Sequence, residues 1–187
     1  MADTDATPRP RPPGPRRRAR EAALAALYRA DVLGLDYPAA LVSLPEVFAL
    51  NEEQYPPEGR VGRRIRGEAL AYAHDLLSGL ALEAEEIDAT IAELARGWSL
   101  ERLTATDRCL LRLALWELRQ GQEPRIVVNE AVEIAHQYGG EDSARFVNGV
   151  LGAWVDGRTD GADRNHETHE RHEREGHAHD TARSLSE

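Results

Sequence analysis

The stretch Arg125–Leu151 (RIVVNEAVEIAHQYGGEDSARFVNGVL) reads as helix, glycine break, helix. Apolar side chains recur at Val127, Ala131, Ile134 and Tyr138, then at Phe146, Val150 and Trp154, the spacing of one helical face. Between the two runs stands Gly139-Gly140, a pair suited to the positive φ at which many helices end. Asp142 follows where an N-cap carboxylate could accept orphan amide donors. The segment predicts a helical hairpin whose second helix opens with Asp142, Arg145 and Phe146 on one short patch.

The rest of the chain carries the same helical period. From Arg16 to about Leu33, Ala19, Ala23, Leu27 and Ala30 form one stripe, widened by Leu24 and stopped by Gly34. Arg16, Arg17, Arg18 and Arg20 crowd its first turn, where the helix dipole prefers anions, so a negative ligand there would relieve the mismatch. The plainer reading of the same run is a solvated charge cluster. Residues 38–50 suggest a short helix interrupted at Pro45, and 51–62 a polar, Pro-rich loop. Two further helices are expected over about 64–82 and 83–96, ended by Gly97, with Trp98, Leu100 and Leu103 as an apolar connector. Thr104 or Thr106 can cap the next helix, the most hydrophobic of all, in which Arg108, Arg112 and Arg119 keep a polar stripe. Gly121 ends it, and Pro124 opens the next at a position that needs no amide proton. No segment alternates with period two, so the fold class is all-α.

Composition bounds the class. A chain of 187 residues with 41% hydrophobic content supports one domain with a real core, built here as residues 16–155. Residues 1–15 form a Pro/Arg-rich leader and 156–187 an acidic, His-rich tail, both read as disordered. There is no apolar run long enough to span a membrane, and no apolar core of a secretory signal. The single cysteine, Cys109, excludes a disulfide framework and points to a reducing, cytoplasmic compartment. The net charge of -10 argues against a nucleic-acid partner until its distribution is seen. Within residues 1–20 six arginines face only Asp3 and Asp5, whereas the segment after Val155 is acidic. Every basic residue is arginine. Histidines 166, 169 and 172 could hold a metal on a helix, but a solubilising tail is the simpler reading, and no metal or cofactor is expected.

Catalytic constellations are missing. No Gly-rich phosphate loop, HExxH, CxxC or GxSxG occurs, and Glu133-Ile-Ala-His136 is one copy of a pattern that di-metal bundles use twice. The chain reads as a non-enzyme.

Two blocks then carry a resemblance. One is Arg16-Arg-Arg-Ala-Arg-Glu-Ala-Ala-Leu-Ala-Ala-Leu-Tyr28. The other joins Asp107-Arg-Cys-Leu-Leu-Arg-Leu-Ala-Leu-Trp-Glu-Leu118, Val128-Asn-Glu-Ala-Val-Glu-Ile-Ala135 and Gly140-Glu-Asp-Ser-Ala-Arg-Phe-Val-Asn-Gly-Val-Leu151. Together they resemble the NusB family of transcription antitermination factors over roughly residues 16–155. The resemblance implies about seven helices in two perpendicular, packed sub-bundles. It also implies binding of single-stranded boxA RNA from ribosomal RNA leaders together with ribosomal protein S10 (NusE), and through them the RNA polymerase elongation complex. RNA contacts map by resemblance onto Arg16, Arg17, Arg18, Arg20, Arg125, Asp142, Ser143 and Phe146, and S10 contacts onto Tyr28 and Asp107. The leader, the 51–60 loop, the tail and Ala25, where the family has glutamine, depart from its pattern.

The chemistry agrees. Single-stranded RNA is held by bases stacked on aromatic faces and by phosphates tracked with basic groups, and a carboxylate can accept from base amino groups. Taken alone, Asp142 is also a good N-cap and Phe146 sits at core spacing; with the resemblance, a mixed role is expected for each. Rival expectations are a module related to rRNA cytosine methyltransferases, which would need a further catalytic domain, and a protein-only adaptor. Free of its partners, the protein is expected as a monomer or as a homodimer that hides its basic face.

Overall fold

The computed structural model describes residues 13–54 and 59–158, with the side chains of 51–54 left aside. The leader through residue 12, the tail from 159 and the loop at 55–58 lie outside the described residues. Among the described residues there are six α-helices, one 3-10 turn and no strand. They are α1 (Pro15–Val32), α2 (Tyr37–Gln54), α3 (Gly59–Leu94), α4 (Ala105–Arg119), α5 (Pro124–Tyr138) and α6 (143–158), with the 3-10 turn at Leu100–Arg102.

Helix α1 is built for close approach. Ala19, Ala22, Ala23, Ala26 and Ala30 are buried on it, and the absence of bulk lets α2, α3 and α4 pack directly against its backbone. Its end follows the helix-stop rule: Leu35 N–H donates to the Ala30 carbonyl at 2.8 Å and Gly34 N–H to Asp31 at 3.2 Å, with Gly34 at φ 66°. Helix α4 is the hub. Cys109, Leu110, Leu111, Leu113, Ala114, Leu115 and Leu118 are all buried on it, and α1, α3 and α5 pack around it. Thr104 caps it by accepting the Asp107 N–H at 3.1 Å. The first group of helices is α1, α2 and the early part of α3; the second is α4, α5 and α6; one continuous apolar core serves both.

Three expectations about element boundaries change. The helices expected over 64–82 and 83–96 are one helix of 36 residues, which brings the count to six among the described residues. Leu82, Glu83, Ala84, Glu85 and Glu86 are all strong helix formers, so no residue at the joint breaks the period. Helix α2 runs through Pro45 to Gln54. Pro45 is exposed and costs one backbone hydrogen bond, but buried Leu44, Val47 and Phe48 beside it hold the helix to its neighbours. The polar stretch from Asn51 thereby becomes the last turn of α2 instead of loop.

The third change concerns Gly139. It ends α5 with φ -90° and ψ -178°, ordinary extended backbone, and neither it nor Gly140 has positive φ. Its requirement is space: a Cβ there would stand 2.4 Å from the Ser143 side chain.

Arginine–carboxylate pairs tie α4 to α1 and to the later part of α3. The expected polar stripe of α4 is spent on these ties: Arg108 reaches Asp31 of α1 at 2.5 Å, and Arg112 grips Asp88 of α3 with two bonds of 2.7 Å while touching Asp31 at 3.1 Å. Arg119 pairs with Glu83 at 2.8 Å and with Glu86. The hydrogen bond from Arg108, then its charge, hold the Asp31 carboxyl below its ordinary pKa against the opposing effect of burial.

Candidate nucleic-acid interface

The start of α1 has no side-chain cap and no acidic residue in its first turn, and its arginines divide by helical position. Arg16 is exposed. Its guanidinium lies 4.6 Å from the Tyr72 ring centroid and donates to Gln122 Oε1 at 2.8 Å. Arg17 pairs with Glu21 at 2.7 Å, and also reaches Glu130 at 3.6 Å and Gln137 at 3.3 Å on α5. Arg18 donates to the Pro13 carbonyl at 3.1 Å. These three lie at or near the surface.

Arg20 does not. It is 5% exposed, and its fork meets the Glu117 carboxylate with bonds of 2.8 and 2.7 Å, with Glu130 at 3.4 Å. Tyr72 donates its hydroxyl to the same Glu117 carboxylate. Burial opposes the charge on Arg20, but the hydrogen bond and attraction from Glu117 outweigh it and raise its pKa. Arg20, expected at the RNA surface with Arg16, Arg17 and Arg18, instead has its guanidinium turned inward and fastens α1 to α4. The signal was present in the sequence, because Arg20 shares a face with Ala23, Leu24 and Leu27 at i+3, i+4 and i+7.

Two more expected contact residues are interior. Ser143, 4% exposed, donates to Asp107 Oδ1 at 2.5 Å and accepts the Gly140 N–H at 3.0 Å. Asp107, expected as a partner contact, is 6% exposed and faces the start of α6. Both share helical faces with buried residues (Leu110, Leu111 and Ala114 for Asp107; Val147 and Val150 for Ser143), which is why they point inward.

Around this buried pair the start of α6 forms a surface corner. The Asp142 carbonyl accepts the Phe146 N–H at 3.0 Å, which makes Asp142 the N-cap by backbone position. Its carboxylate accepts from Arg145 at 2.8 Å, with both side chains mostly exposed. Phe146 is half-buried and meets Trp98 edge-on, ring centroids 6.4 Å apart. Arg125 is exposed at the start of α5, with no ion-pair partner among the described residues. Tyr28, 43% exposed, lines a shallow depression of roughly 250 Å³ with Tyr138, Thr106 and Ala25.

The arm touches the end of α5, and the corner follows at the start of α6. Arg17 reaches Gln137, five residues before Asp142, whereas the corner packs on Trp98 and Asp107. Among the described residues, no three His, Cys, Asp or Glu side chains gather as a metal site would need, and no helix is long and apolar enough to cross a membrane.

Fold and surface together define an all-helical binding module, with arginines and aromatics displayed on a buried ion-paired frame. Solved structures of the same fold include a chain from the crystal structure of a plectonemic RNA supercoil (30% identical, TM-score 0.61, 78% of this chain and 96% of that one). NusB in a crystal structure with NusE and double-stranded RNA is 30% identical with TM-score 0.56, over 74% of this chain and 94% of that one. This chain belongs to the NusB family, whose sequence model matches residues 17–156. It is 39% identical to the transcription antitermination protein NusB of Symbiobacterium thermophilum over 147 residues, 76% of this chain and 90% of the relative. It is 37% identical to that of Desulforudis audaxviator over 143 residues, 75% and 93%.

Proposed function

We propose that this protein is a cytoplasmic transcription antitermination factor that binds the single-stranded boxA element of ribosomal RNA leaders together with ribosomal protein S10. The observation that carries the reading is the arm: Arg16, Arg17 and Arg18 stand at an uncapped helix start on a chain whose net charge is -10. A local cluster of planar, permanently charged donors suits phosphate. The solved NusB structure with NusE and double-stranded RNA, and the NusB names of the relatives, support the same partners.

In this account Arg16, Arg17, Arg18 and Arg125 track phosphates, Phe146 stacks on a base, and Asp142 accepts from base amino groups. Tyr28 and the depression beside it receive S10. Arg20, Ser143 and Asp107 belong to the buried frame that carries the arm and the corner, and make no contact to RNA or S10 of their own. Each phosphate contact to a single strand contributes a salt-dependence slope of roughly -0.7 in log–log terms.

The test is a fluorescence-anisotropy titration of labelled boxA RNA with S10 present. Arg17→Ala should weaken binding and flatten the salt slope, and Phe146→Ala should weaken it with the slope unchanged. Equal affinity in wild type and both variants would overturn the proposal. A second reading, the protein-only adaptor, draws on the pairing of Arg17 with Glu21 and Glu130. It predicts tight S10 binding and no boxA preference in the same titration.

A further inference from the structure

A depression of roughly 630 Å³ lies between the α3–α4 connector and the start of α6. That is within the roughly 300–1,000 Å³ typical of small-ligand sites. Leu103 and Val150 form its apolar floor, and Trp98 and Phe146 are its aromatic walls, with ring planes 62° apart. Arg96, Arg102 and Arg145 line it as well.

Trp98 meets Phe146 edge-on yet stays largely in solvent. It is 51% exposed, while Leu103 five positions on is 7% exposed, so the connector buries one apolar residue and displays the larger one. Looseness is not the cause. Gly97 turns the chain at φ 85°, the Trp98 N–H donates to Ala95 at 2.9 Å, and Arg108 grips the carbonyls of Leu100 and Leu103 at 2.8 and 3.0 Å. The Arg102 guanidinium lies 5.6 Å from the Trp98 ring centroid, close enough to steady the ring and to meet a phosphate beside it.

The charge of the cleft selects its occupant. Its two carboxylates are engaged, Asp142 by Arg145 and Asp107 by Ser143, whereas Arg96 and Arg102 have no carboxylate partner among the described residues. A fixed aromatic face under surplus cations is the arrangement that holds unpaired bases, which expose a π-face and carry a phosphate. An apolar peptide would leave those guanidinium groups unmatched. We infer that Trp98 is a base-stacking residue, offering its exposed ring beside Phe146 to one unpaired RNA base. This deepens the RNA-binding reading above and rests on it.

The experiment titrates the full chain and S10 with boxA RNA and with a series of the same RNA carrying one abasic position at a time. Trp98→Ala should bind intact RNA roughly 5- to 150-fold more weakly, the equivalent of ~1–3 kcal/mol per stacked base. Trp98→Phe should recover most of that loss. At one abasic position wild type should lose the same factor and Trp98→Ala should lose nothing more, a pattern that a structural role would not give. If Phe146→Ala weakens binding while Trp98→Ala matches wild type, the inference is wrong and the RNA reading stands. A Trp98→Ala defect spread evenly over all abasic positions, or a loss of S10 binding measured without RNA, also overturns it. If wild type shows no preference for boxA over scrambled RNA, the RNA reading itself fails.

Discussion

Arg20→Ala separates the frame of this protein from its surface. The guanidinium makes two bonds to Glu117, which is itself 1% exposed, and the substitution leaves that carboxylate buried with Tyr72 as its remaining close donor. Breaking a buried ion pair by removing one partner costs ~3–5 kcal/mol. The Tyr72 hydroxyl and water entering the vacated space place the expected loss near the lower end, about 3 kcal/mol. For a domain of this size each kcal/mol moves the melting temperature by roughly 2–4 °C, so a drop of roughly 6–12 °C is expected. Circular dichroism at rising temperature and in urea reads it directly. The double variant Arg20→Met/Glu117→Leu should restore much of the stability, because it removes the orphaned charge together with its partner. At a temperature where Arg20→Ala is folded, its boxA affinity should stay near that of wild type, whereas Arg16→Ala should lose affinity and keep its melting temperature. An Arg20→Ala protein as stable as wild type but defective for RNA would refute the division between frame and surface.

Three further outcomes follow from the packing. Gly79→Ala places a Cβ 2.1 Å from the Trp116 ring where α3 crosses α4, so a loss of ~1–3 kcal/mol in urea unfolding is expected; an unchanged midpoint would mean that the ring has room to turn. Burial, then the bond to Glu117, push the Tyr72 hydroxyl from 10.0 up to about 12, so its contribution is intact below pH 10 and is lost as the pH rises toward 12. Cys109, raised by burial from 9.0 to about 12, adds loss of the same sign from pH 9 upward, so Tyr72→Phe should flatten the decline only in part; a decline as steep as that of wild type would contradict the assignment. Ser143→Ala unpairs buried Asp107 at a cost of ~1–3 kcal/mol, and hydrogen exchange at the start of α6 should quicken; unchanged exchange at the Phe146 amide would deny that this bond holds the corner.

The helices were legible because their signals are local. The alanine stripe of α1, the leucines of α4, the Thr104 cap and Pro124 each act within a few residues of where they stand. The joint between the two expected middle helices was not, since their merging into α3 depends on the absence of a breaker and on packing against α4. The candidate site was half legible. Arg16, Arg17, Arg18 and Arg20 look alike as a charge run, yet helical geometry sends Arg20 inward with Ala23 and Leu27 and leaves the others at or near the surface. Asp107 and Ser143 carried the same clue on the faces of Leu110 and Val147. Gly139 was correctly read as a helix end for the wrong reason, because the neighbour that demands a glycine, Ser143, comes close only once the hairpin has closed. Trp98 sits in a connector with no period, so its display beside Phe146 is visible only in three dimensions.

One salt-dependent titration of boxA against scrambled RNA, with and without S10, decides whether the arginine arm and the aromatic corner hold single-stranded boxA RNA. Binding of boxA should be tighter at every salt concentration and tighter again with S10, and the log–log slope should shrink by roughly 0.7 for each phosphate-tracking arginine removed. Equal affinity for the two RNAs, with a slope unmoved by the loss of Arg16 or Arg17, would contradict that binding mode.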